Sequence, residues 1–154
     1  MKRTTPSPAL AALFCVVLAA TLAPAARADD HGCSNGSVAG KYGYTTTGTR
    51  LGIGPIAGVG IVTLDRNGND LGGKQTVSFN GVIADETYTG TYTVNSDCTG
   101  TATLVVLSSI PAFNRTSTLD LVWVDNSSAI RMIFTNAQTI ITVDAKKLFP
   151  AQEQ

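Results

Sequence analysis

The 154-residue chain carries eleven basic and eleven acidic side chains, three cysteines and a single histidine. A chain of this length builds one domain with a core, not two. Balanced charge without a basic cluster excludes a phosphate-tracking nucleic-acid binder, and one histidine leaves histidine-based triads and multi-histidine metal centres without their parts.

Residues 1–28 read as a Sec-type secretory signal of bacterial character: Lys2 and Arg3 form the positive start, Ala9 to Ala23 the apolar run, and Ala26-Arg27-Ala28 the small-x-small cleavage pattern. The run is 15 residues long, short of the roughly 20 a membrane-spanning helix needs, so no stable membrane insertion is expected after cleavage. Leu13-Phe14 places bulky residues before Cys15, which argues against a lipidated cysteine. Removing 28 residues leaves 126, and the loss of Lys2, Arg3 and Arg27 leaves eight basic against eleven acidic side chains, a net charge of about −3. A secreted or periplasmic protein is the expectation.

Residues 29–37 (DDHGCSNGS) are small, polar and turn-rich, an N-terminal arm preceding one domain over 38–154. From Val38 onward helical periodicity is absent, and short runs of Thr, Val, Ile and Tyr are broken by Asn, Asp and Gly, the all-β pattern. Eight strands are predicted: 38–50, 55–64, 73–80, 82–95 with a bend at Asp85-Glu86, 100–109, 116–125, 129–135 and 138–145. Asn80-Gly81 is the pair that suits a type I′ hairpin turn, and 65–70 and 95–100 hold residues that tolerate positive φ. Short connections favour antiparallel neighbours in up-and-down order. An eight-stranded antiparallel up-and-down β-barrel, which removes exposed edges, is preferred over the alternative two-sheet β-sandwich. Gly40, Gly43, Gly58, Gly60 and Gly90 lie inside predicted strands, which suggests strong coiling or side chains stacked across the neighbouring strand.

Cys33 and Cys98 survive cleavage, an even number in an exported chain, so one disulfide is expected. It would close a loop of 66 residues, worth about 4 kcal/mol in the chain-entropy model. The segments GKYGY near the start, a Gly-rich second strand ending in LDRNGN, and YTGTYTVNSDCTGTATL together resemble a group of small exported bacterial proteins with allene-oxide-cyclase-like or lipocalin-like eight-stranded barrels. The most specific element is GTYTVNSDCTGT at 90–101, whose cysteine would pair with the one before the first strand. The resemblance implies a barrel with an interior pocket; it supplies no catalytic residues, because none of the cyclase's has a counterpart here.

Candidate sites follow from strand phase. Tyr42 and Tyr44 share one face; Tyr88, Gly90, Tyr92 and Val94 share another; Leu119, Leu121 and Trp123 are in phase, as are Ile130, Met132 and Phe134. If these faces point inward, Tyr42, Tyr44, Tyr88, Tyr92, Trp123 and Phe134 line a pocket for a small apolar ligand, or the same residues fill a small barrel completely. Asp85 and Glu86 are adjacent and point to opposite faces, so they form no catalytic carboxylate pair and are read as a solvated bend. Asp120 and Arg131 are read as solvent-facing. Threonines 87, 89, 91 and 93 read as the outer face of one strand, a ladder evident there alone. The Asn-x-Ser/Thr sequons at Asn35, Asn114 and Asn126 mean little in a bacterial protein. No cofactor is expected. Cleavage after Ala28 would, however, give a mature Asp29-Asp30-His31 terminus, whose amine, two backbone amides and third-position imidazole suit square-planar Cu(II) or Ni(II). Three function classes stay open: a non-enzymatic binding protein, a cyclase or isomerase whose tyrosines polarise a substrate, and a fully packed structural or surface-interaction protein.

Overall fold

The computed structural model describes residues 32–148. They form a closed barrel of eight strands in sequence order: β1 (Gly40–Arg50), β2 (Gly54–Leu64), β3 (Asn69–Phe79), β4 (Val82–Val94), β5 (Thr99–Ser108), β6 (Arg115–Val124), β7 (Ala129–Phe134) and β8 (Thr139–Lys147). Every neighbouring pair is antiparallel, and β8 closes on β1 from Tyr42↔Lys147 to Arg50↔Thr139. The up-and-down barrel expected from the short connections is therefore the fold, with no sheet edge left open.

Alternation decides which residues face inward. Along β1 the buried positions are Tyr42, Tyr44 and Thr46; along β4, Ala84, Glu86, Tyr88 and Tyr92; along β6, Ser117, Leu119, Leu121 and Trp123; along β8, Ile141, Val143 and Ala145. The Asn80-Gly81 turn joins β3 to β4 with both residues at positive φ, 49° and 91°, as a type I′ turn requires. Between β6 and β7, Asp125, Asn126 and Ser127 are all left-handed, at φ 53°, 55° and 61°. This turn contains no glycine, and the Asp125 carbonyl accepts from both the amide and the hydroxyl of Ser128.

Expectations for the first, third and fourth strands need correction: β3 starts at Asn69, four residues before Gly73. Val38 does not begin the first strand: Asn35–Val38 form one helical turn, α1, capped by Ser34, and the strand starts at Gly40. Reciprocal bonds between Ser34 and Ser37 favour the turn, and it drives Val38 into full burial. The chain is also not bent at Asp85-Glu86. β4 pairs regularly with β3 through both residues, and Glu86 is buried inside the barrel. Partners waiting inside make a regular strand affordable there, as described below.

The threonine pattern is broader than one strand. Thr91 lies opposite Thr103, and Thr103 opposite Thr118; the Thr135 hydroxyl then meets that of Thr118 at 2.7 Å. Only the register aligns β4, β5, β6 and the residue after β7 into this row, which no single strand displays. Asp120 and Arg131 face outward, and Arg131 meets Asp144 at 3.2 Å with both side chains mostly exposed, a pair that contributes little.

Candidate functional site

One end of the barrel is closed. Cys33 and Cys98 are bonded with Cα atoms 4.9 Å apart, fixing the segment before α1 to the β4–β5 hairpin. The Cys33 amide donates to the Ser96 carbonyl. Val38 and Tyr42 are fully buried beneath this strap. The Tyr42 phenol lies 2.6 Å from the Val38 carbonyl and 3.1 Å from that of Ser127, so its one proton stitches α1 or the β6–β7 turn to β1. Burial, and then the neighbouring Tyr92, push that phenol far above its ordinary pKa, so it remains a donor. Lys147 sits 5.6 Å from the Tyr42 ring centre with its ammonium on the Ser37 carbonyl, and burial lowers its pKa. Trp123 belongs to the same end, with its ring centre 6.4 Å from that of Tyr92; its indole N–H has no acceptor among the described residues.

Further in, two tyrosines are placed by glycines. Tyr44 on β1 lies opposite Gly60 on β2, where an added Cβ would stand 2.6 Å from the phenol carbon. Tyr88 on β4 lies opposite Gly73 on β3, and its ring covers that glycine in the same way. The rings therefore lean toward each other over adjacent strands, and their hydroxyls meet at 2.9 Å. Gly60 stands out in the sequence as a glycine inside a strand; Gly73 does not, because the sequence pattern places it at a strand start.

From this pair a chain of hydrogen bonds crosses the interior. Tyr88 donates to Tyr44, or alternatively to the Ile61 carbonyl at 3.1 Å. Tyr44 donates to Gln75 Oε1 at 3.2 Å, and Gln75 Nε2 donates to Glu86 Oε2 at 2.6 Å. Arg115 grips the same carboxylate through two nitrogens, at 2.6 and 2.9 Å, and donates also to the Phe113 carbonyl at 2.9 Å. The Glu86 side chain is 0% exposed and that of Arg115 17%. A carboxylate buried this deeply is tolerated only with such satisfaction. Phe79 supports the guanidinium from 5.6 Å and itself packs on Phe113, ring centres 4.3 Å apart, in the short 3₁₀ turn Pro111–Phe113.

Two cavities flank this layer. The inner one, about 70 Å³, is walled by Val62, Leu64, Leu104, Leu121, Ile130, Met132 and Val143 among others, with Tyr44, Tyr88, Tyr92 and Phe134 on its surface. Tyr42 and Trp123 are not among its lining residues. Of the six tyrosine, tryptophan and phenylalanine positions singled out in the sequence, the structure thus brings four to one cavity and sets two at the closed end. The outer cavity, also about 70 Å³, is lined by Arg50, Thr116, Asn136 and Thr139 with several apolar residues. Thr46, Gln75, Arg115 and Phe134 line both, so they form the partition.

No cluster of three or more metal-ligating side chains is found among the described residues. Asp29, Asp30 and His31, the residues of the terminal copper or nickel set, lie outside the described residues. Nor is any helix among the described residues long and apolar enough to cross a membrane. Comparison of the chain with protein-family models, curated proteins and solved structures finds no match.

Proposed function

We propose that this disulfide-stapled barrel is an exported binding protein that holds a small apolar molecule in its inner cavity. The observation that carries the reading is that cavity of about 70 Å³, surrounded mainly by aliphatic side chains beneath a closed end. A water needs only about 10–15 Å³ of such space but also two to four polar partners. Here the wall is mainly apolar, its polar members Thr46, Gln75 and Arg115 lie at the partition, and the phenols of Tyr44 and Tyr88 already bond within the polar chain. An apolar guest therefore fits better than a group of waters. The disulfide suits an oxidising compartment outside the cytoplasm, in agreement with the signal read in residues 1–28.

A second reading, a cyclase or isomerase, draws support from the ionisable Glu86–Arg115 pair beside the cavity. Against it, Glu86 accepts from Gln75 and twice from Arg115, which leaves it poorly placed as a general base. Calorimetric titration with 1-butanol, whose short chain suits a cavity of about 70 Å³, tests the binding reading. Saturable binding is expected, lost in Ala102→Phe, which fills the inner cavity while the melting transition is retained. Absence of binding, or binding unaffected by the filled cavity, contradicts it.

A further inference from the structure

The outer cavity differs from the inner one in kind, and nothing in the preceding reading uses it. Two arginines, Arg50 and Arg115, line it, and no acidic residue does. Arg115 has five N–H donors; two contacts to Glu86 and one to the Phe113 carbonyl occupy three of them. Two N–H groups therefore remain on a side chain that also borders the apolar cavity. Arg50 makes no ion pair among the described residues, so its charge is not compensated as that of Arg115 is. Because Thr46, Gln75, Arg115 and Phe134 belong to both linings, the cationic space and the apolar space share one partition.

We infer that the ligand is an amphiphile: a short apolar body in the inner cavity and an anionic head group in the outer one, held by Arg50 and the two remaining N–H groups of Arg115. This rests on the apolar-pocket reading and adds its chemical class and orientation. The closed, disulfide-tied end leaves the outer cavity as the side from which the ligand enters, body first, so the head is the last part to leave water. Glu86 acts as a positioning residue. Its two bonds hold the guanidinium plane across the barrel, and its charge cancels that of Arg115, so that Arg50 supplies the net attraction at the mouth.

The test compares butanoate, butyl sulfate and 1-butanol by calorimetry at neutral pH and low salt, on the wild type and on Arg50→Gln. Arg50 makes no hydrogen bond or ion pair with Glu86 or Arg115, so its replacement spares those contacts. An anionic probe should bind at least about tenfold more tightly than 1-butanol, the scale of one charge-assisted hydrogen bond. That preference should vanish in Arg50→Gln while the affinity for 1-butanol stays within about twofold. Preference for butanoate alone assigns a carboxylate head; equal preference for butyl sulfate assigns any compact anion. Equal binding of all three probes, or a preference that survives Arg50→Gln, overturns the inference and leaves the apolar pocket standing. Binding of none of them overturns both.

Discussion

Replacing Glu86 by leucine removes the one buried carboxylate among the described residues and leaves Arg115 without its counter-charge. Breaking a buried pair by deleting one partner costs about 3–5 kcal/mol. Arg115 retains 17% side-chain exposure, so water relieves part of that cost and the lower end, about 3 kcal/mol, applies. With a guanidinium slope of a few kcal/mol per molar, the unfolding midpoint should fall by roughly 0.5–1.5 M at unchanged slope. The double variant Glu86→Leu, Arg115→Met removes both charges and keeps apolar volume. It should recover most of the loss, because a buried pair replaced as a unit is often neutral or stabilising. Equilibrium unfolding followed by Trp123 fluorescence measures all three proteins. A single-variant loss below about 1 kcal/mol, or a double variant no more stable than the single, would refute the claim that the pair is buried and interdependent.

Further outcomes follow from other parts of the barrel. Cys33→Ser with Cys98→Ser should lower stability by about 2–5 kcal/mol, and unchanged unfolding would mean the strap contributes nothing. Gly73→Val displaces the Tyr88 ring and should separate the two phenols, seen as loss of the Tyr44–Tyr88 hydrogen bond in a variant structure; an undisturbed ring refutes the close packing. At acid pH, partial desolvation raises Asp65 but the amides of Asn67 and Asn69 outweigh it and hold the carboxyl below its ordinary value; the Thr99 hydroxyl and amide hold Asp97 below its own. A carboxyl lower in the folded state stabilises fully above its unfolded value, near 3.9, and that contribution disappears as pH falls through the folded one. Stability should therefore fall below about pH 4, less steeply in Asp97→Ala; parallel curves contradict the assignment. A chain starting at Asp29 should bind Cu(II) and lose that binding in His31→Ala, and equal affinity ends the idea.

Much of the architecture is written in local pattern. Period-two alternation and short polar turns specify eight antiparallel strands, and Asn80-Gly81 names its own turn type. Cys33 and Cys98 are bonded, as expected for the two cysteines outside the segment read as a signal. The polar chain was less legible. Glu86 was read together with Asp85 as a solvated bend, yet it lies two residues before Tyr88 and four before Gly90. The phase already assigned to Tyr88 and Tyr92 extends back to it, and that signal could have turned it inward. Its partner Arg115 is another matter: a contact 29 residues away depends on closure of β4, β5 and β6 in register, which no single-strand pattern reveals. The same holds for the Thr91, Thr103 and Thr118 row, and for Gly73, whose role exists only because Tyr88 lies across from it. Tyr42 and Trp123 show the limit of phase in the other direction. They face inward as expected, but height along the barrel axis, which alternation does not encode, sets them beside the strap and away from the cavity.

Xenon probes whether the inner cavity accepts an apolar guest without any assumption about the natural ligand. Crystals of the chain from Asp29 onward held under xenon pressure should show anomalous density between Leu104, Leu121, Ile130, Met132 and Val143, lost in Ala102→Phe. A wild-type barrel with no xenon at that position would show the interior to be a filled core, and the binding account would fall.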